Sequence, residues 1–568
     1  MALGATKPEL SAAAPSSGFS TLRVPAAALF SAGLFATAMA WQIGARSALT
    51  MDELHTLLVA RLIAAGESVP FYLGSVSRYE GGSWLICWPV ALLLRLGAWG
   101  SAATCWAAGS IALVTVALSS LWLGRRFGPL SALCLGPLLA VCAPEFVHYS
   151  YRAWGSLPEA LVVYPLAAFG YEAWLSAGRR PGGSLLLGLL LAAAIVLSYL
   201  HMVTALLFVV LHQLDSRGLP RGSVALQLVL VTSAAVAGFG TWLWLAVPYL
   251  EEALVVRGGL GLVAGLGALL WVRLDRILPQ LPYAWLGQHS DGGLWPVLLA
   301  TGLCALALSA AVTGWRRGGS ARRLSVLWCL LIPTLSVGHL MADHPDVIRY
   351  YLPWLCCSLA LIAASGPRRT LIALVLGLTV WLSTGRDLPY QDPASAYLEL
   401  GANALHRFSD EPHRKFELLI EEVPGAWRSW FAFGYGLDTG TRYAQATRAM
   451  APSLRAWQQA GRDPGSNLRF VLADLEAWVP SFEASHSIEE DRAAWFFRGL
   501  GAGLMADGQL DALESTWLEL PGSLRLRAVR QGVEAQRSWL RGEPQDLSLL
   551  SRMVKVVVRP TPLPALSP

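Results

Sequence analysis

The chain has 568 residues, of which 54% are apolar and 14% charged, with 24 tryptophans and a formal net charge of +5. Soluble globular chains carry about a quarter charged residues, so this composition excludes an ordinary soluble enzyme. The first 384 residues hold 23 basic against 15 acidic residues and the remaining 184 hold 20 against 23. The surplus is a membrane-topology signal, and a nucleic-acid partner is excluded.

Residues 1–23 are polar and lack the short apolar core and small-residue cleavage site of a signal peptide. They read as a cytoplasmic tail. The run 24–43 follows, about the length needed to cross a bilayer as a helix. Further apolar runs lie at 84–97, 101–123, 129–142, 159–175, 184–199, 202–213, 223–248, 293–314, 324–340, 351–365 and 370–384. Compact basic loops separate several of them: Arg125-Arg126, Arg179-Arg180, Arg217 with Arg221, Arg316-Arg317 with Arg322-Arg323, and Arg368-Arg369. The positive-inside rule places these loops in the cytoplasm.

That placement works with an inside N-terminus if one early run does not cross. The run 84–97 (WLICWPVALLLRLG) is short, Trp-rich and interrupted by Pro89 and Arg95, and reads as an interfacial helix. The expected fold is all-α: a polytopic transmembrane bundle over 24–384 with about eleven crossings, then a soluble, mainly helical domain over 385–568 on the outer side. Of the acids in the membrane half, Glu172 and Asp215 fall in or beside basic loops, and Glu9 lies in the tail. The other acids fall on the outer side, so chemistry is expected there. Glu251-Glu252 and the glycine-rich stretch after them read as a second surface helix.

All eight cysteines fall in apolar segments and read as packing residues. His201 reads as a satisfied buried histidine, and His344 beside Asp343 and Asp346 as part of a solvated loop. In the soluble part the phrase Trp430-Phe-Ala-Phe-Gly-Tyr-Gly returns as Trp495-Phe-Phe-Arg-Gly-Leu-Gly, with a weaker echo over 528–533 (AVRQGV). Those offsets suit a stack of helical hairpins, and an irregular helical domain fits nearly as well.

The first outer loop, 44–100, opens Met51-Asp52-Glu53-Leu54-His55. Two adjacent carboxylates after a span can bind a divalent cation or take a proton from an acceptor hydroxyl. They equally suit the N-terminus of the helix that follows. The loop continues through Ser77-Arg78-Tyr79-Glu80-Gly81. Residues 144–159 (PEFVHYSYRAWGSLPE) form a second outer loop, and 346–353 (DVIRYYLP) open a late span.

In this order the segments resemble the GT-C superfamily of polytopic membrane glycosyltransferases, particularly the protein O-mannosyltransferase and aminoarabinose-transferase branch. The likeness covers most of residues 24–365. It implies transfer of a sugar from a polyprenyl-phosphate-linked donor to a glycan, lipid or protein acceptor on the outer face. Asp52 would be the base, with Glu53 orienting it or holding a metal, so a divalent cation is a candidate cofactor. Arg78, Tyr79, Glu80, Arg152, Glu159, Arg349 and Tyr350 would bind substrate. One departure is that Glu159 lies seven residues beyond Arg152, where the family often has an Asp directly after its aromatic-Arg cluster. A transporter or lipid flippase, and a non-catalytic scaffold, are the competing readings. Sparse charge within the spans and the lack of evident inverted repeats speak against the transporter.

Overall fold

A computed structural model describes residues 19–44, 51–66, 81–98, 100–154, 158–197, 202–216, 220–257, 294–332, 351–383, 425–449, 490–505 and 524–540. It also describes 281–282, 285–286, 397–398, 401–402, 420 and 423. Among the described residues every regular element is helical. The chain divides into two compact units. One comprises Met1–Arg46 with Val59–Leu388, the other Ser47–Leu58 with Pro389–Pro568.

The first unit contains α1 (Phe19–Gly44), the last six residues of α2 (Met51–Ala64), α3 (Gly81–Arg95), α4 (Gly100–Phe127), α5 (Pro129–Cys142), α6 (Pro144–Ser150), α7 (Val163–Ser176), α8 (Pro181–Leu197), α9 (Met202–Asp215), α10 (Arg221–Arg257), α11 (Leu294–Arg317), α12 (Gly319–Leu331), α13 (Leu352–Ser365) and α14 (Pro367–Ser383). Three helices are long and apolar enough to cross a bilayer: Arg23–Ile43 within α1, then α4 and α11. Shorter apolar helices accompany them, including α8, α13 and parts of α3, α9 and α10. Large apolar side chains such as Leu29, Trp106, Leu186, Trp295 and Leu371 point outward at 63–70% exposure. An apolar exterior of this kind marks a membrane protein.

The basic loops owe their compactness to glycine. Gly128 (φ 99°) precedes Pro129 at the first position of α5, and Gly366 (φ 116°) precedes Pro367 at that of α14. The glycine supplies a backbone angle that L-residues resist, and the proline starts the next helix with φ already set. Gly178 and Gly318 serve the turns after α7 and α11.

Helices α1, α4 and α5 pack closely around a small polar knot. A Cβ at Gly136 would overlap the Ser31 carbonyl oxygen. With glycine there, the Gly136 N–H donates to Ser31 Oγ at 2.7 Å, and Ser120 Oγ donates to the same oxygen at 3.2 Å. Small residues let apolar helices approach until such bonds form. Ser31→Ala is expected to cost about 1 kcal/mol, read as a lower unfolding midpoint in detergent. Farther along, Gly188 of α8 lies against the Val231 carbonyl of α10 in the same way.

Helix α10 runs unbroken for 37 residues and includes Glu251 and Glu252. This corrects the expectation that the acid pair opens a separate surface helix. Adjacent acids interrupt a hydropathy profile without interrupting a helix, because helical backbone bonds do not depend on side-chain polarity. Helix α3 spans the run expected to be interfacial. Its Arg95 donates to the carbonyls of Ile63 and Ala64 at 2.9 and 3.0 Å, satisfying groups at the end of α2.

The second unit contains α15 (Arg428–Ala449), α16 (Glu490–Met505) and α17 (Leu524–Leu540), with a helical fragment at 397–402. Glycines set its packing in three reciprocal pairs. A Cβ at Gly401 would overlap the Phe431 carbonyl, and one at Gly434 the Leu398 carbonyl. Gly436 and Gly499 meet the carbonyls of Phe496 and Phe433, and Gly501 and Gly532 those of Val529 and Arg498. The G-x-G phrase thereby acquires a geometric meaning. Two residues turn a helix by about 200°, so Gly434 and Gly436 face opposite neighbours, as do Gly499 and Gly501. Gly401 and Gly532 each meet one described neighbour, and each is the single such glycine of its segment. The weaker echo at 528–533 carries the glycine that pairs with Gly501.

Candidate functional site

The segment 144–159 is the best-built candidate. Helix α5 ends at Cys142, Ala143 leaves helical geometry, and Pro144 starts α6 at 93° to α5. A proline at the first helical position removes a donor the new helix does not need, so the chain can turn here. Gln42 Nε2 of α1 donates to the Pro144 carbonyl at 3.4 Å, and Phe35 packs on Phe146 with ring centroids 5.4 Å apart.

Six of the seven residues of α6 are buried, Glu145 among them. An aromatic group follows. Tyr149 meets Trp154 edge-on at 5.0 Å, and Tyr151 hydrogen-bonds His148 Nδ1 at 3.2 Å. Glu159 opens a short 3-10 helix (Glu159–Val162) that leads into α7. It is 6% exposed and accepts the Trp154 N–H through Oε1 at 2.9 Å. A carboxylate is held inside the protein only when its bonds are made, and this backbone donor makes one of them.

Arg152 lies between the aromatics and Glu159, half-buried, and among the described residues no atom accepts from its Nε. A guanidinium whose Nε has no acceptor among the described residues suits an anionic group that arrives with the ligand. The structure thus brings Arg152 and Glu159 into one short buried segment.

Asp52 and Glu53 fall in the first turn of α2, and Glu53 is fully buried. Both belong to Ser47–Leu58, which groups with Pro389–Pro568 and not with the membrane unit. The Asp52 side chain lies outside the described residues, as do Arg78, Tyr79, Glu80, Arg349 and Tyr350, and His201, Asp343, His344 and Asp346. Among the described residues no three His, Cys, Asp or Glu side chains could hold a metal ion.

A second polar cluster was not singled out from sequence as a site. At the basic-loop end of the first unit, Asp215 Oδ2 accepts from Arg323 Nε at 2.9 Å and from the Tyr171 hydroxyl at 3.0 Å. Arg179 donates to the Asp215 carbonyl at 2.8 Å and to Ser216 Oγ at 2.9 Å, capping α9. Glu172 Oε2 pairs with Arg126. Above this cluster an apolar cavity of about 160 Å³ extends between α4, α5, α7, α9, α12 and α13 toward Phe146 and Leu161. The signal in the sequence was two acids set among arginine loops, where intramembrane charge is costly without a purpose.

Comparison with protein-family models, curated proteins and solved structures returns no match.

Proposed function

We propose that the chain is a GT-C-type glycosyltransferase with about eleven crossings, its N-terminus cytoplasmic and its C-terminal unit outside, in the cell's inner or plasma membrane. It moves a sugar from a polyprenyl-phosphate donor to a glycan, lipid or protein acceptor. The observation that carries this reading is Arg152, whose Nε has no acceptor among the described residues, in the same segment as the buried Glu159 and just after the bend between α5 and α6. A lipid phosphate lies at the membrane edge and supplies the missing acceptor.

In the proposed reaction Asp52 takes the acceptor hydroxyl proton, with Glu53 orienting it or holding a cation. The acceptor oxygen bonds to the anomeric carbon as the bond from that carbon to phosphate oxygen breaks, and Arg152 stabilises the departing polyprenyl phosphate. Glu159 fixes the loop through the Trp154 amide.

The test is transfer of labelled sugar from a polyprenyl-phosphate donor in membranes carrying the full chain. Arg152→Gln is expected to lower the rate about 10²- to 10³-fold, and Asp52→Asn to lower it at least as far. Wild-type rates in Arg152→Gln would sink the phosphate role. Loss of solute or lipid transport with unchanged glycans would favour a transporter.

A further inference from the structure

We propose that the cavity between α4, α5, α7, α9, α12 and α13 holds an acyl chain of a resident phospholipid with a phosphoethanolamine head. Its phosphate sits at Arg323 and its ammonium at Glu172. This is a site apart from the sugar-transfer reading, and it stands or falls without it.

The walls dictate the tail. Val116, Leu139, Ala168, Phe208, Leu324 and Ala360 line an apolar space of about 160 Å³. Apolar spaces of about 150 Å³ stay dry and take up apolar molecules. Along α7 the lining runs from Tyr164 to Glu172, about 12 Å at the helical rise, and Leu161 extends it just before that helix. That shape fits a stretch of aliphatic chain.

The polar end dictates the head. Tyr171, Glu172 and Arg323 are the lining residues of the polar cluster around Asp215 and Arg126, while Thr115, Ser119, Tyr164 and Thr204 add hydroxyls to the lining. The Tyr171 hydroxyl is committed to Asp215. Arg323 commits Nε to Asp215, and its guanidinium lies 5.5 Å over the Tyr171 ring, which leaves its terminal amino groups for another acceptor. Glu172 commits Oε2 to Arg126, while Oε1 is buried and accepts from no atom among the described residues.

The cavity lining therefore includes one donor and one acceptor that are uncommitted among the described residues, and the two make no ion pair with each other. A purely anionic head would satisfy Arg323 and leave Glu172 Oε1 buried without a donor, a costly state. A phosphocholine head has no N–H to give it. Phosphoethanolamine supplies a phosphate oxygen for Arg323 and an ammonium hydrogen for Glu172. The surrounding loops carry Arg125, Arg126, Arg179, Arg180, Arg322 and Arg323, which place this end in the cytoplasmic leaflet and draw a phosphate to it.

The experiment uses the full chain in nanodiscs containing equal parts phosphatidylethanolamine, phosphatidylcholine and phosphatidylglycerol. Native mass spectrometry after release counts the retained lipid. The expected result is one retained phosphatidylethanolamine per chain, preferred over each competitor by about tenfold or more. Glu172→Gln keeps the shape and is expected to bring that preference close to unity. Ala168→Trp and Ala360→Phe fill the cavity from facing helices and are expected to abolish retention.

Equal retention of all three lipids by the wild type would overturn the head assignment. Unchanged retention in both cavity-filling variants, or polyprenyl phosphate found in the cavity, would overturn the site. If both filled variants unfold, the head-group ratio in Glu172→Gln decides. Sugar transfer measured on the same samples separates this site from the transferase reading, because Glu172→Gln leaves Asp52 and Arg152 intact.

Discussion

Gly436→Ala is expected to separate α15 from α16 and unfold the C-terminal stack, at a cost of about 3 kcal/mol or more. The added methyl would occupy the space of the Phe496 carbonyl, which is backbone and cannot rotate away. Room could come only from moving the helices apart, and that strips contacts from Trp430, Phe431, Phe433, Phe496 and Phe497, all 8% exposed or less. Limited proteolysis of the full chain would show it as faster cleavage within 425–540. Gly499→Ala should do the same through the Phe433 carbonyl. The double variant should cost clearly less than the sum, because one methyl has already opened the gap that the second would occupy. Strict additivity, or proteolysis at the wild-type rate in both single variants, would refute the interlocking arrangement.

Asp215→Asn should be the most damaging polar change in the membrane unit. Asp215 Oδ2 accepts from both Arg323 and Tyr171, and its side chain is 23% exposed. Removing one partner of a largely buried pair leaves the other charge without compensation, which costs about 3–5 kcal/mol when burial is complete. With this partial exposure about 2–3 kcal/mol is expected. The readout is the unfolding midpoint in detergent. Arg323→Gln on the Asp215→Asn background should recover part of the loss, since the stranded guanidinium is then gone. A double variant no better than Asp215→Asn would show that the Tyr171 bond, and not the ion pair, carries the stability.

Much of the first unit was legible because hydropathy reports burial in lipid. The run 24–43 lies within α1 and the run 101–123 within α4. Glycine before proline and arginine pairs marked the turns for equally local reasons. Pairings across long separations were not legible. Arg323 and Asp215 stand 108 residues apart, and nothing in either neighbourhood announces the other. The repeat phrases were visible, but their meaning was not. A G-x-G reads as flexibility until the neighbouring carbonyls are in place, and the lone Gly401 carries no repeat signal of its own. Of the candidate site, the segment 144–159 was identified by its residue types. The bond from the Trp154 amide to Glu159 joins two positions that no short motif pairs.

The second unit is assembled from two pieces of chain, Ser47–Leu58 and Pro389–Pro568. A ribosome makes the first piece more than 300 residues before the second. Glu53, Thr56 and Leu57 are fully buried in the finished protein, so they must wait for most of the chain to be synthesised before their surroundings are complete. A fragment comprising 389–568 alone would lack that piece. Supplying residues 47–58 in trans, or fusing them ahead of residue 389, should be what allows the fragment to be handled as a protein in its own right.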